Sequence, residues 1–142
     1  IPNYKFDLIN TEQVFEHLPE PLETLCYLKR ALKSEGLIAI SVPNCGDIKR
    51  RLRGSDWTAP KMTRNSLNNV APLEHINCFI RRSLIRMADI AGLEPVLIPR
   101  RIQYAHSTNW RLFRPMLKNL ASPLYHNVFR RDTNLLFRRR TS

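Results

Sequence analysis

Glycine is scarce in this chain: four residues in 142, Gly36, Gly46, Gly54 and Gly92, and none belongs to a Gly-x-Gly pattern. A glycine-rich turn that lets backbone close around a bound cofactor is therefore missing from these residues. Cysteine is just as thin. Cys26, Cys45 and Cys78 are odd in number and lack a Cys-x-x-Cys pair, which excludes a disulfide framework and a zinc site of ordinary spacing. Cys26 fits the apolar side of a helix as a small buried hydrophobe, and reduced thiols point to a cytoplasmic setting. Long apolar runs are absent too. Stretches such as Leu37 to Ile40 fall far short of the roughly 20 residues a membrane span needs. No signal peptide opens the chain, and Ile1 is not an initiator Met, which suits a piece of a longer protein better than a processed terminus.

What is present suits one domain's worth of chain with a real core. Hydrophobic residues make up 43%, so the composition is neither disordered nor fibrous. The net charge of +11 is placed unevenly. Residues 1–60 hold eight Lys/Arg and eight Asp/Glu, whereas residues 61–142 hold fifteen against four. Arg100-Arg101, Arg111, Arg114, Lys118, Arg130-Arg131 and Arg138-Arg139-Arg140 carry most of the excess. Such asymmetry favours an anionic partner: a phosphorylated or membrane-associated small molecule, nucleic acid, or an anionic surface. A merely solvated basic face is the plain alternative. No obligate protein partner is implied.

The periodicity predicts a strand over Lys5 to Thr11, apolar at Phe6, Leu8 and Ile9. Pro21 suits a first helical position. Leu22, Leu25, Cys26, Leu28 and Leu32 then recur at helical spacing, with Gly36 expected to close that helix. Leu37 to Val42 is apolar on both faces, as in a central parallel strand. Strand, helix and strand with short joins make a βαβ unit. Gly46 to Arg53 reads as a short basic helix and Gly54 to Pro72 as a long loop over the sheet's carboxyl edge. A helix is expected over Arg82 to Ala91, with Leu84, Met87, Ala88 and Ala91 inward and Gly92 at its end. Glu94 to Ile98 is a strand candidate, Asn109 to Leu120 an amphipathic helix, and Thr133 to Phe137 a final strand. The chain thus divides into a strand-helix-strand core (1–45), a loop or lid region (46–80) and a basic carboxyl-terminal region (81–142).

The chemistry-bearing residues collect where the first strand ends. Thr11-Glu12-Gln13 lead into Val14-Phe15-Glu16-His17-Leu18-Pro19, and the carboxyl edge of an open α/β sheet is where ligands bind. His17 is the candidate general base, since neutral imidazole can take a hydroxyl proton near pH 7. Asn44 ends the second buried strand at the same edge, where its amide could orient a substrate or simply close a turn. His75 is a second candidate for contact with substrate.

Phe6-Asp7-Leu8-Ile9, the polar turn, Glu16-His17-Leu18, Pro19-x-Pro21, a helix, a buried strand and Val42-Pro43-Asn44 together resemble the second half of the class I methyltransferases that use S-adenosylmethionine. Leu73-Glu74-His75-Ile76-Asn77-Cys78-Phe79 and Ser83 to Leu93 resemble a downstream helix of the same group. The group's fold is a Rossmann-like α/β sheet of seven strands with helices on both faces. On that template the chain supplies strands four to seven, the last antiparallel, without the half that carries the cofactor's glycine turn. The resemblance implies methyl transfer from S-adenosylmethionine to a small molecule, at oxygen: the Asn/Asp-Pro-Pro-aromatic motif of the enzymes that methylate exocyclic amines of bases does not follow Ile9. It places Thr11, Glu12 and Gln13 at the cofactor, His17 in catalysis, and Asn44 and His75 at the substrate. Some related O-methyltransferases hold a divalent ion with Glu-x-x-Glu-His and a distant His. Here Gln13 stands at the first of those positions, without the charge a hard cation favours, so no metal is expected. A fragment of this kind should be inactive alone and leave its first strand as an unpaired edge. A non-catalytic basic module binding RNA or anionic lipid is the competing reading.

Overall fold

The computed structural model describes residues 5–54, 58–59, 67, 70, 74–97 and 133–140. They form strand β1 (Phe6–Glu12), a single 3₁₀ turn (Phe15–His17), helix α1 (Pro21–Ala31), strand β2 (Leu32–Ser41), helix α2 (Ile48–Arg53), helix α3 (Arg81–Ile90), strand β3 (Leu93–Val96) and strand β4 (Asn134–Arg139). The four strands make one sheet in the order β1-β2-β4-β3. β1 runs parallel to β2, while β4 is antiparallel to both of its neighbours. An antiparallel last strand is what the resemblance implies.

The βαβ unit is present, but its helix ends sooner than the glycine suggests. α1 stops at Ala31, and β2 begins at Leu32 without a connecting loop. Phe6 pairs with Leu32 and Leu8 with Leu37, so the stretch 33–36 is looped out of the ladder. Gly36 belongs to that bulge rather than to a helix cap. A Cβ there would meet the Leu32 Cγ at 2.7 Å and the Phe6 carbonyl oxygen at 2.8 Å, so close backbone approach is what requires glycine. Gly92 does cap α3, in the left-handed region at φ 73°. The Lys29 ammonium donates to the Ala91 carbonyl at 2.8 Å and ties α1 to that same end.

Register places the core on one face. Ile38 pairs with Phe137 and Ile40 with Leu135, and all four are buried with Leu25 of α1 and Leu84 and Ala88 of α3. α1 touches α3 over this face. Both α1 and α3 therefore pack on this face of the sheet. The opposite face carries Phe6 and Leu8 of β1, which stay 45% and 58% exposed, and Leu8 pairs with Leu37 there. Among the described residues β1 has no partner along its outer edge. The expected loop over 54–72 lies almost wholly outside the described residues, as does the helix expected over Asn109 to Leu120. None of the described helices is long and apolar enough to cross a membrane.

Candidate functional site

β1 hands the chain to a sharp elbow. The Gln13 N–H donates to the Ser41 carbonyl at 2.9 Å, one step beyond the strand. Gln13 itself adopts φ 54°, a left-handed conformation that costs a non-glycine residue about 1–2 kcal/mol. The turn this creates drops Phe15 fully into the core. Burying such a ring contributes about 1.5–3 kcal/mol, enough to offset the strained turn. Glu16 and His17 follow directly on the fixed Phe15.

A second segment, the strap over residues 74–79, clamps the elbow from across the sheet edge. The Glu16 carbonyl accepts the N–H groups of Ile76 (2.8 Å) and Asn77 (3.0 Å). The Asn77 amide donates to the Leu18 carbonyl at 2.6 Å and to that of Phe15 at 3.4 Å. At its other end the strap meets the exit of β2. Asn44 forms an isolated parallel bridge with Phe79, and the Cys45 N–H donates to the Phe79 carbonyl at 2.9 Å. One short segment therefore joins the ends of two neighbouring parallel strands.

Within this frame His17 Nδ1 lies 2.7 Å from the Glu74 carbonyl oxygen. A carbonyl only accepts, so Nδ1 carries the proton and Nε2 of the neutral ring keeps a lone pair. His17 Nε2 is 3.9 Å from Glu16 Oε1, and the His17 and His75 rings meet edge to face at 4.9 Å. Glu16 is only 1% exposed, and neither of its carboxylate oxygens has a hydrogen-bond partner. One ligating atom from each of Glu16, His17 and His75 falls within 4.8 Å of the others. A buried carboxylate without donors is costly unless a cation or a proton compensates it. The donor set of one carboxylate and two imidazoles fits a divalent transition metal or zinc better than a hard oxygen-seeking ion.

The other sequence-derived candidates divide. Glu12 and Gln13 stand exposed at the end of β1, open to a ligand. The Thr11 hydroxyl instead donates to the Ala39 carbonyl at 3.1 Å, which commits it to strand pairing. Asn44 Oδ1 accepts the Gly46 N–H at 2.7 Å, the plain turn-closing role. His75 lies edge to face against His17. Asn77 and the Glu74 carbonyl, which hold the elbow and set the His17 tautomer, had no local signal in the sequence. The Glu12 carboxylate and the Gln13 amide are exposed together at the carboxyl end of β1. The described groove of about 390 Å³ lies elsewhere, against the β3 edge, lined by Arg82, Ile85, Arg86, Asp89 and Arg140 among others.

Residues 2–98 match a family model described as a methyltransferase domain, and the chain belongs to that family. Among solved structures it is similar to that of the [4+2]-cyclase SpnF, at 17% identity and a TM-score of 0.49. That likeness covers all of this chain and 53% of the other, so the chain spans about half that protein's length. No curated protein matches. Membership of a methyltransferase family does not favour the non-catalytic basic module.

Proposed function

We propose that the chain forms the carboxyl-terminal half of a class I methyltransferase, its strands standing fourth to seventh in the complete sheet, that methylates a hydroxyl of a small molecule. The open β1 edge and the exposed Phe6 and Leu8 support this reading, because a preceding half would pair with the one and cover the others. The observation that carries the chemistry is the fixed tautomer of His17. S-adenosylmethionine supplies an activated methyl when bound, held in part by Glu12 and Gln13. His17 Nε2 takes the proton of the acceptor hydroxyl as its oxygen becomes nucleophilic. The Glu74 carbonyl keeps the ring oriented and favours the imidazolium that results. The strap, fastened by Asn77, keeps His17 and His75 together. The basic carboxyl-terminal region favours a phosphorylated or membrane-associated acceptor.

A second reading rests on the unpartnered Glu16 carboxylate. Glu16, His17 and His75 would hold a divalent cation, which would supply Lewis-acid polarisation of the acceptor oxygen. The test for the leading reading is transfer of labelled methyl from S-adenosylmethionine by the full-length protein to candidate hydroxyl acceptors. Transfer that disappears in His17→Gln supports it, and transfer indifferent to His17 removes it.

A further inference from the structure

Two of the three cysteines flank the backbone joint between the exit of β2 and the strap. Cys78 immediately precedes Phe79, whose carbonyl accepts the Cys45 N–H at 2.9 Å and which bridges Asn44. Cys45 is 3% exposed, whereas Cys78 is open to solvent. None of the three cysteines is in a disulfide, and Cys26 sits on α1. We propose that Cys45 and Cys78 form an oxidisable dithiol, a site where a small disulfide closes a covalent link between the exit of β2 and the strap.

The environments of the two thiols assign their roles. Burial, and then the neighbouring Cys78 thiol through its charge and a side-chain hydrogen bond, push the Cys45 thiol up to about 12. Cys45 therefore stays protonated near neutral pH, and the first attack falls to exposed Cys78. The Cys78 thiolate attacks one sulfur of the small disulfide and expels one small thiolate. Cys45 then gives up its proton to solvent and attacks the Cys78 sulfur of the mixed disulfide, expelling the second. Two protein thiols and one small disulfide become one protein disulfide and two small thiols; the protein loses two electrons and two protons, and the small disulfide gains both. Such a link would pin the segment whose Glu74 carbonyl sets the His17 tautomer. It depends on the placement of Cys45 and Cys78 at the β2–strap joint and not on the methyl-transfer reading.

The experiment exposes the full-length protein to glutathione disulfide, blocks remaining thiols with N-ethylmaleimide and maps the digest without reduction. The expected result is a Cys45–Cys78 linked peptide in monomeric protein, with Cys26 alkylated. Cys78→Ser, an exposed and conservative change, should lose that peptide, and Cys26→Ser should keep it. Amide hydrogen exchange across residues 74–79 should slow on oxidation and recover on reduction. A Cys78–glutathione adduct with Cys45 alkylated, or links only between molecules, would overturn the proposal.

Discussion

His17 Nδ1 donates to the Glu74 carbonyl at 2.7 Å, and this bond decides which ring nitrogen can do chemistry. With Nδ1 committed, Nε2 is the atom left to accept a proton or hold a cation. In the full-length protein, His17→Gln should lower kcat by about 10²- to 10⁴-fold, the usual worth of a positioned acid or base. Cofactor affinity should change little, because the proposed cofactor contacts are Glu12 and Gln13 rather than His17. Steady-state kinetics with direct titration of S-adenosylmethionine separates the two effects.

Asn77 fastens the strap to the elbow through the carbonyls of Phe15 and Leu18. Asn77→Ala should destabilise the protein by about 1–3 kcal/mol, the cost of taking the amide donor from the Leu18 carbonyl, since the Phe15 carbonyl still accepts the Leu18 N–H. Activity should also fall, though less than in His17→Gln, since the imidazole itself survives. Denaturant unfolding and initial rates measure the pair.

The buried Glu16 carboxylate gives the cation reading a clear outcome. Adding Mn²⁺ or Zn²⁺ to the full-length protein should raise its melting temperature, by mass action on the folded state, and Mg²⁺ should do so less. Glu16→Gln should remove that response. If no cation shifts the melting temperature or the activity, His17 and His75 act without metal and Glu16 is a structural carboxylate.

Asp89 offers a prediction in pH. The Arg140 guanidinium, by hydrogen bond and then by charge, holds the Asp89 carboxyl below its ordinary range, with Arg86 adding to the effect. A carboxyl depressed in the folded state stabilises that state above its unfolded value and loses the contribution as pH falls through the folded one. Asp89→Asn should therefore melt slightly lower than wild type at pH 7 and converge with it as the pH drops below about 4. The gap should shrink with added salt, because the pair is exposed. Thermal melts at two pH values and two salt concentrations check it.

Much of the fold is legible in the sequence, because amphipathic spacing and apolar runs are local. The strand through Phe6 to Ile9, the helix from Pro21, the buried run of β2 and the helix over Leu84 to Ala91 all form close to where periodicity puts them. The start of β2 is less legible. Leu32 looks like one more helical apolar residue, yet it pairs with Phe6, and Gly36 answers a clash across the sheet rather than a helix end. β4 extends to Arg139 because its arginines alternate outward or reach back, as Arg139 does to the Leu32 carbonyl at 2.9 Å. At the candidate site, the residues singled out from the sequence lie at the end of β1, and His75 meets His17 there. Thr11 and Asn44 reach the same edge, but their side chains are taken up by backbone partners. The strap's hold on the elbow rests on backbone groups about sixty residues apart in sequence, and no local pattern reports those.

The most direct test of the account is calorimetric titration of S-adenosylmethionine into the full-length protein and its Glu12→Ala variant. The account predicts measurable binding that weakens about tenfold on removing the Glu12 carboxylate, equivalent to about 1.4 kcal/mol. Absence of binding, or an affinity indifferent to Glu12, would contradict the assignment of the β1 elbow as a wall of the cofactor site.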